Sequence, residues 1–174
     1  MTLHIIVDGY NVIRQSQQLS VLDLRDIQEG REALQEILVE YRKSKGHRIT
    51  IVFDGTNAVS LDSQRQHFRG IEILFSRNGE TADTVIKRMA AKERERALVV
   101  SSDRDIISFV SAMGSATIGS RAFEDKLLQA LYAGEYGGME DPPDTGWVPT
   151  TRKKGPSRRL PKKKRRNREK TYKL

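Results

Sequence analysis

Strands and amphipathic helices alternate through the first 135 residues, which predicts a doubly wound α/β/α sandwich with right-handed crossovers. Two further observations support that class. The strand-like runs are rich in Val and Ile and almost continuously apolar, as expected of parallel strands covered on both faces. An aspartate closes or follows several of these runs, at the place where open α/β sheets build their sites.

Residues 3–8 read as the first strand and 49–54 (ITIVFD) as the second. Residues 71–75, 97–101 (ALVVS) and 116–118 supply the remaining three of a five-stranded, mainly parallel sheet. Between them, Ile27, Leu34, Ile37, Leu38 and Tyr41 recur at helical spacing. Val85, Ile86, Met89 and Ala90 do the same, as do Ile106, Ile107, Phe109, Val110 and Met113, and Phe123, Leu127, Leu128 and Leu131 close the series. Gly46 and Gly114 stand where helix C-terminal caps belong. Residues 55–70 are polar and aperiodic and read as a functional loop. The expected organisation is a domain over 1–136, a Gly/Pro/acidic linker over 137–150 and a basic, disordered tail over 151–174.

Charge follows that division. Residues 151–174 carry 13 Lys/Arg and one Glu, whereas residues 1–150 carry 18 Lys/Arg against 22 Asp/Glu. A mildly acidic domain with a strongly basic tail points to a polyanionic partner, nucleic acid before membrane surface. The tail cations Arg152, Lys153, Lys154, Arg158, Arg159, Lys162, Lys163, Lys164, Arg165 and Arg166 are the candidate RNA contacts, with Arg65 and Arg69 from the loop. Pro156 and Pro161 argue against a helix before residue 162. The absence of cysteine excludes disulfides, thiolate metal sites and a cysteine nucleophile. No stretch approaches the ~18 apolar residues that span a bilayer, so a soluble, cytoplasmic protein is expected.

The chemistry lies in the aspartates. Val7-Asp8-Gly9-Tyr10-Asn11, Phe53-Asp54-Gly55, Thr81-Ala82-Asp83 and Ser102-Asp103-Arg104-Asp105 each place an acid at a strand end or helix start. Individually these are turn residues and helix caps. Converging on one crevice, they would repel one another unless a cation sat between them, which suggests a Mg²⁺ or Mn²⁺ site for phosphoryl chemistry. Asn11 can orient a carboxylate, water or phosphate through its amide. A nucleophile elbow, a phosphate loop and a dinucleotide fingerprint are all missing.

VDGYNVI, VFDG, GETAD and VVSSDRD, in this order and spacing, resemble the YacP-like NYN family, a branch of the PIN-like ribonuclease superfamily. The resemblance spans about residues 3–135 and implies a PIN-like sheet of strand order 3-2-1-4-5 with metal-dependent endoribonuclease activity. For bacterial members it implies mRNA cleavage in association with the ribosome. Carried over position by position, the acids are Asp8, Asp54, Asp83 and Asp103, with Asn11 as polar partner and Asp105 at a looser position. Gly55 stands where the family more often has Ala. The alternatives are a non-catalytic RNA- or ribosome-binding protein on the same fold, and a DNA-directed nuclease, for whose additional acids and helical arch the chain lacks room.

Overall fold

The computed structural model describes residues 2–55, 65–77, 79–135 and 161–174. The chain forms β1 (His4–Asp8), α1 (Gly9–Gln15), α2 (Gln17–Arg25), α3 (Ile27–Lys45), β2 (Arg48–Phe53), β3 (Arg65–Phe68) and β4 (Ile71–Phe75). It continues through α4 (Ala82–Glu93), a short 3₁₀ turn (Arg94–Arg96), β5 (Ala97–Val100), α5 (Arg104–Ala112), β6 (Ala116–Ile118), α6 (Ser120–Glu135) and α7 (Lys162–Tyr172).

The sheet has the order β3-β4-β2-β1-β5-β6, and all neighbours are parallel except β3 with β4. This is the expected PIN-like order with one strand added at the edge. The addition falls in residues 55–70, read from sequence as loop. Residues 65–68 pair antiparallel with β4 through a two-residue turn at Arg69 and Gly70, whose φ values are 43° and 88°. That is the backbone a tight hairpin demands. Three of the four β3 residues are exposed, so the strand carries no apolar run to betray it, and its charge suits an edge.

Successive β1 side chains point to opposite faces and seed two cores. Ile5 and Val7 join Ile49, Ile51, Phe53, Leu34, Leu38, Tyr41 and Phe123 on the α1–α3 and α6 side. Ile6 joins Val52, Val99, Val85, Ile86, Ile106 and Val110 under α4 and α5. Asp26 caps the start of α3, and Gly46 ends that helix in the left-handed conformation at φ 68°. The helices α1 and α2 were not legible from periodicity. The first is only seven residues long, and the second leaves Val21 and Leu24 exposed and so presents a weak stripe.

The tail differs from expectation in its last part. Residues 151–160 lie outside the described residues, but α7 begins immediately after Pro161 and docks on the sheet. The Asn167 amide bonds both backbone groups of Thr117, accepting from its N–H at 2.7 Å and donating to its carbonyl at 3.1 Å. It thereby satisfies the open edge of β6. Arg166 pairs with Glu95, and Leu174 is buried in the larger core, where its carbonyl accepts from the Tyr41 hydroxyl at 3.3 Å. These anchors outweigh the mutual repulsion of the helix's cations, so this segment is ordered. Among the described residues no helix is long and apolar enough to cross a membrane.

Gly9 opens α1 because nothing larger fits. A Cβ there would lie 2.3 Å from Cε1 of Phe53, whose ring is held by Tyr10 and Phe75 at centroid distances of 5.1 and 5.7 Å. The requirement is close approach of the Phe53 ring. Gly9→Ala is therefore expected to destabilise the protein by ~1–3 kcal/mol, the usual cost of overpacking, seen as a lower urea midpoint. An unchanged midpoint would show that the Phe53 ring can yield.

Candidate functional site

β1 pairs with β2 on one side and β5 on the other, so the strand order reverses beside its carboxyl end. Asp8 is the last residue of β1 and is 9 % exposed. Its carboxylate is held from both sides: one oxygen accepts from the Asn11 N–H at 3.3 Å and the other from the Ser101 hydroxyl at 2.9 Å. The Ser101 oxygen in turn accepts from the Asp103 N–H at 3.1 Å. One serine thus ties the end of β1 to the start of α5, and Asp8 to Asp103.

Asp103 caps α5, its carboxylate accepting from the N–H groups of Asp105 at 2.7 Å and Ile106 at 3.2 Å. Asp83 stands in the first turn of α4, which Thr81 caps. The three acids feel one another. Burial first, then repulsion from Asp83 and Asp103, raises the Asp8 pKa to about 6, against the downward pull of its two hydrogen bonds. Asp83 is raised as well, by burial and then by Asp103, with Lys87 opposing.

Asn11 is engaged through its side-chain oxygen. Its side-chain oxygen accepts from the Ser102 N–H at 2.9 Å, the Ser120 hydroxyl at 2.6 Å and the Gln15 amide at 3.4 Å. It therefore pins α1, the β5–α5 junction and the start of α6 together. Ser102 completes the bracing by accepting from the Ser120 N–H at 3.0 Å.

Asp8, Asp83 and Asp103 are thus brought together, with Asp105 at their margin. Asp105 is exposed and paired with Lys87, although its charge reaches Asp83. Asp54 is half-buried after β2. Arg69 pairs with Glu36 at 3.0 Å and stacks on Phe68, while Arg65 pairs with Glu72. Lys162 to Arg166 lie on α7, and Arg152, Lys153, Lys154, Arg158 and Arg159 lie outside the described residues. α7 sits toward the amino ends of the strands. Glu95, which holds Arg166, precedes β5, and His47, which contacts the Lys173 carbonyl at 3.3 Å, precedes β2. A strand length, roughly 15 Å, separates it from the acids.

Sequence reasoning missed Ser101, Ser102, Ser120 and Lys87. Ser101 and Ser102 directly precede Asp103, a visible signal, but serines before a helix look like caps. Lys87, four residues after Asp83, looks like that residue's ordinary helix partner, yet its bond is to Asp105. Among the described residues no three His, Cys, Asp or Glu side chains are arranged to hold an ion directly.

Residues 5–141 match the YacP-like NYN domain. The chain belongs to that family. It is 34 % identical over 86 residues to the uncharacterized protein YacP of Bacillus subtilis (strain 168), an alignment covering 49 % of this chain. It spans about half the length (50 %) of that curated relative. The crystal structure of Rae1 (YacP) from Bacillus subtilis superposes with a TM-score of 0.65 and 27 % identity over 78 % of each chain. A single-substitution mutant of the same protein gives 0.64 and 25 %, covering 77 % of this chain and 80 % of the other. The YacP-like NYN domain here is thus a PIN-like, nuclease-type α/β fold with its acids at the switch point of the sheet.

The buried Asp8 makes stability depend on pH. Unfolded, it releases its proton near its ordinary value of 3.8, and folded near 6. The fold therefore keeps this contribution below pH 4 and loses it as pH rises through 6, by ~3 kcal/mol. Asp8→Asn should unfold at higher urea than the wild type at pH 7.5, with the gap closing by pH 4. A wild type more stable than the variant at pH 7.5 in the absence of divalent cations would contradict the burial argument.

Proposed function

We propose that this chain is a metal-dependent endoribonuclease hydrolysing RNA phosphodiesters at the Asp8, Asp83 and Asp103 edge, with mRNA on the ribosome as its substrate and the cytoplasm as its setting. The observation that carries the reading is the gathering of three carboxylates from separate elements at one end of a nuclease-type sheet, with Ser101 tying Asp8 to Asp103. The family resemblance supports RNA as the substrate and the ribosome as partner.

The donor set fits a hard cation in its chemistry: carboxylate oxygens, with no thiolate or imidazole beside them. Magnesium keeps several waters and needs few protein ligands, which suits acids that form no closed cage. When bound, Mg²⁺ or Mn²⁺ would offset the repulsion and lower the barrier to water attack on phosphorus. Asp8, Asp83 and Asp103 would hold the ion, with Ser101 fixing the spacing of Asp8 and Asp103. Asn11 is a positioning residue that braces the three junctions around them. Attack by water in place of the 2′-hydroxyl leaves a 5′-phosphate and a 3′-hydroxyl.

The direct test is cleavage of a fluorescent single-stranded RNA over a Mg²⁺ titration, with a DNA oligonucleotide alongside. Asp8→Asn or Asp83→Asn should reduce cutting at least ~100-fold with unchanged circular dichroism, and EDTA should abolish it. Cutting that survives EDTA would sink the metal reading.

A second reading, a non-catalytic RNA- or ribosome-binding protein, is favoured by Lys87, whose ammonium already opposes the charge of Asp83. RNA bound but never cut, whatever the metal, would establish it.

The cations of α7 would grip a polyanion from the far end of the sheet. Because Leu174 belongs to the core, charge removal is a cleaner probe than deletion. Replacing Lys162, Lys163, Lys164 and Arg165 by Gln should lessen co-sedimentation with ribosomes, and each lost phosphate contact should flatten the salt dependence by about 0.7–0.9 log unit. Unchanged co-sedimentation would remove the tail helix from this role.

A further inference from the structure

Away from the acidic edge the molecule carries a second concavity, of about 700 Å³. α4 joins the carboxyl end of β4 to the amino end of β5 and so runs antiparallel to the strands. Among the described residues it packs chiefly over β1, β2 and β5 and leaves the β4 and β3 side of that face largely open. Between the helix, about 18 Å long at 1.5 Å per residue, and this open strip runs a groove. Its floor is apolar, formed by Leu74, Val85 and Met89. Five cations, Arg48, Arg65, Arg77, Arg88 and Lys92, line its sides against three acids, of which Glu72 pairs Arg48 and Arg65 and Glu80 pairs Arg88. Its upper end, at Gly79 and Glu80, immediately precedes the helix turn that carries Asp83.

The lower end holds an unsatisfied acceptor. The Thr50 hydroxyl gives its one proton to Glu72, at 3.0 Å, so the 2.8 Å contact between Thr50 and His4 must be donated by His4 Nε2. Burial, then the Arg48 charge, keeps His4 neutral by lowering its pKa. Nδ1 then presents a lone pair. It is buried with no hydrogen-bond partner, and the group facing it at 3.6 Å is Glu93, another acceptor. Two acceptors across a gap call for a donor between them, and a buried group left unpaired costs ~1–3 kcal/mol.

We propose that this groove holds a stretch of single-stranded RNA, with its phosphates on Arg48, Arg88 and Lys92 and a base N–H donating to Glu93, the part-exposed member of the acceptor pair. Apolar floor with cationic rim is the surface that single-stranded nucleic acid uses, bases on one and backbone on the other. A strand lying there leads over the start of α4 to Asp83. The inference rests on RNA being the substrate, and it assigns the path by which the strand reaches the acids.

The test is RNA binding by the full chain carrying Asp8→Asn, followed by fluorescence anisotropy across a salt series. Arg88→Gln with Lys92→Gln should weaken binding roughly tenfold at 150 mM salt and flatten the slope by ~1.4 log units, two single-strand contacts. Arg25→Gln with Lys45→Gln removes the same charge from exposed helix positions outside the groove and should change affinity less than twofold. Glu93→Gln lets the new amide donate to His4, so binding should fall severalfold with no change in slope. Equal weakening by the control pair, or an unchanged slope in the groove pair, would overturn the groove. Displacement of the strand by a mononucleotide at equal phosphate concentration would overturn strand binding in favour of a free nucleotide. If no variant, nor the parent, binds RNA at all, the RNA reading itself falls.

Discussion

A carboxylate at the end of a strand buried on both faces is the constraint on which the acidic edge of this sheet depends. Ile5, Ile6 and Val7 are fully buried, and Asp8 directly continues them. Such a group is tolerated only with partners, and the partners dictate the local architecture. Ser101 must end β5 within reach, and the Asn11 N–H must turn back in the first turn of α1. Once Ser101 serves Asp8, its oxygen also places the Asp103 N–H, and the second acid follows from the first. Asn11 extends the bracing to α6 through Ser120. The charges are thereby held at a spacing they would not choose, as the raised Asp8 and Asp83 indicate.

Behind this edge lies an aromatic and cationic packing unit that makes the turn rigid. Arg31, only 3 % exposed, donates to the Tyr10 hydroxyl at 2.8 Å and lies 5.4–5.6 Å from the centroids of Tyr10, Phe53 and Phe75. Desolvated cation–π contacts and a hydrogen bond offset the cost of burying the guanidinium. Because Tyr10 follows Asp8 by two residues and Phe53 precedes Asp54, this unit fixes the backbone from which both acids project. Gly9 is the spacer that allows the ring of Phe53 to come so close.

Charge is segregated along the strand direction. Acids gather at the carboxyl ends, and the α7 cations, anchored by Glu95, Asn167 and Leu174, gather toward the amino ends. A polyanion drawn to the basic end is not thereby delivered to the acids, which gives the cationic groove along α4 its place between the two. Basic and acidic surfaces are separate on this domain.

Local periodicity and the positions of strand ends make the layered α/β class, the parallel strands and the aspartates of the sheet's acidic edge readable from the residues. Asp8, Asp83 and Asp103 were legible as a set for that reason. Tertiary structure alone decided the rest. The antiparallel β3 was hidden because an exposed edge strand needs no apolar run, and α7 because its anchors, Thr117, Glu95 and Tyr41, lie far away in sequence. Ser101 and Lys87 looked like a cap and a helix surface charge until long-range contacts assigned them to Asp8 and Asp105. The His4–Thr50–Glu72 row was equally invisible, since only strand register sets residues from three strands side by side. Local chemistry specifies what each segment becomes, whereas long-range pairing decides which charges meet and which are held apart.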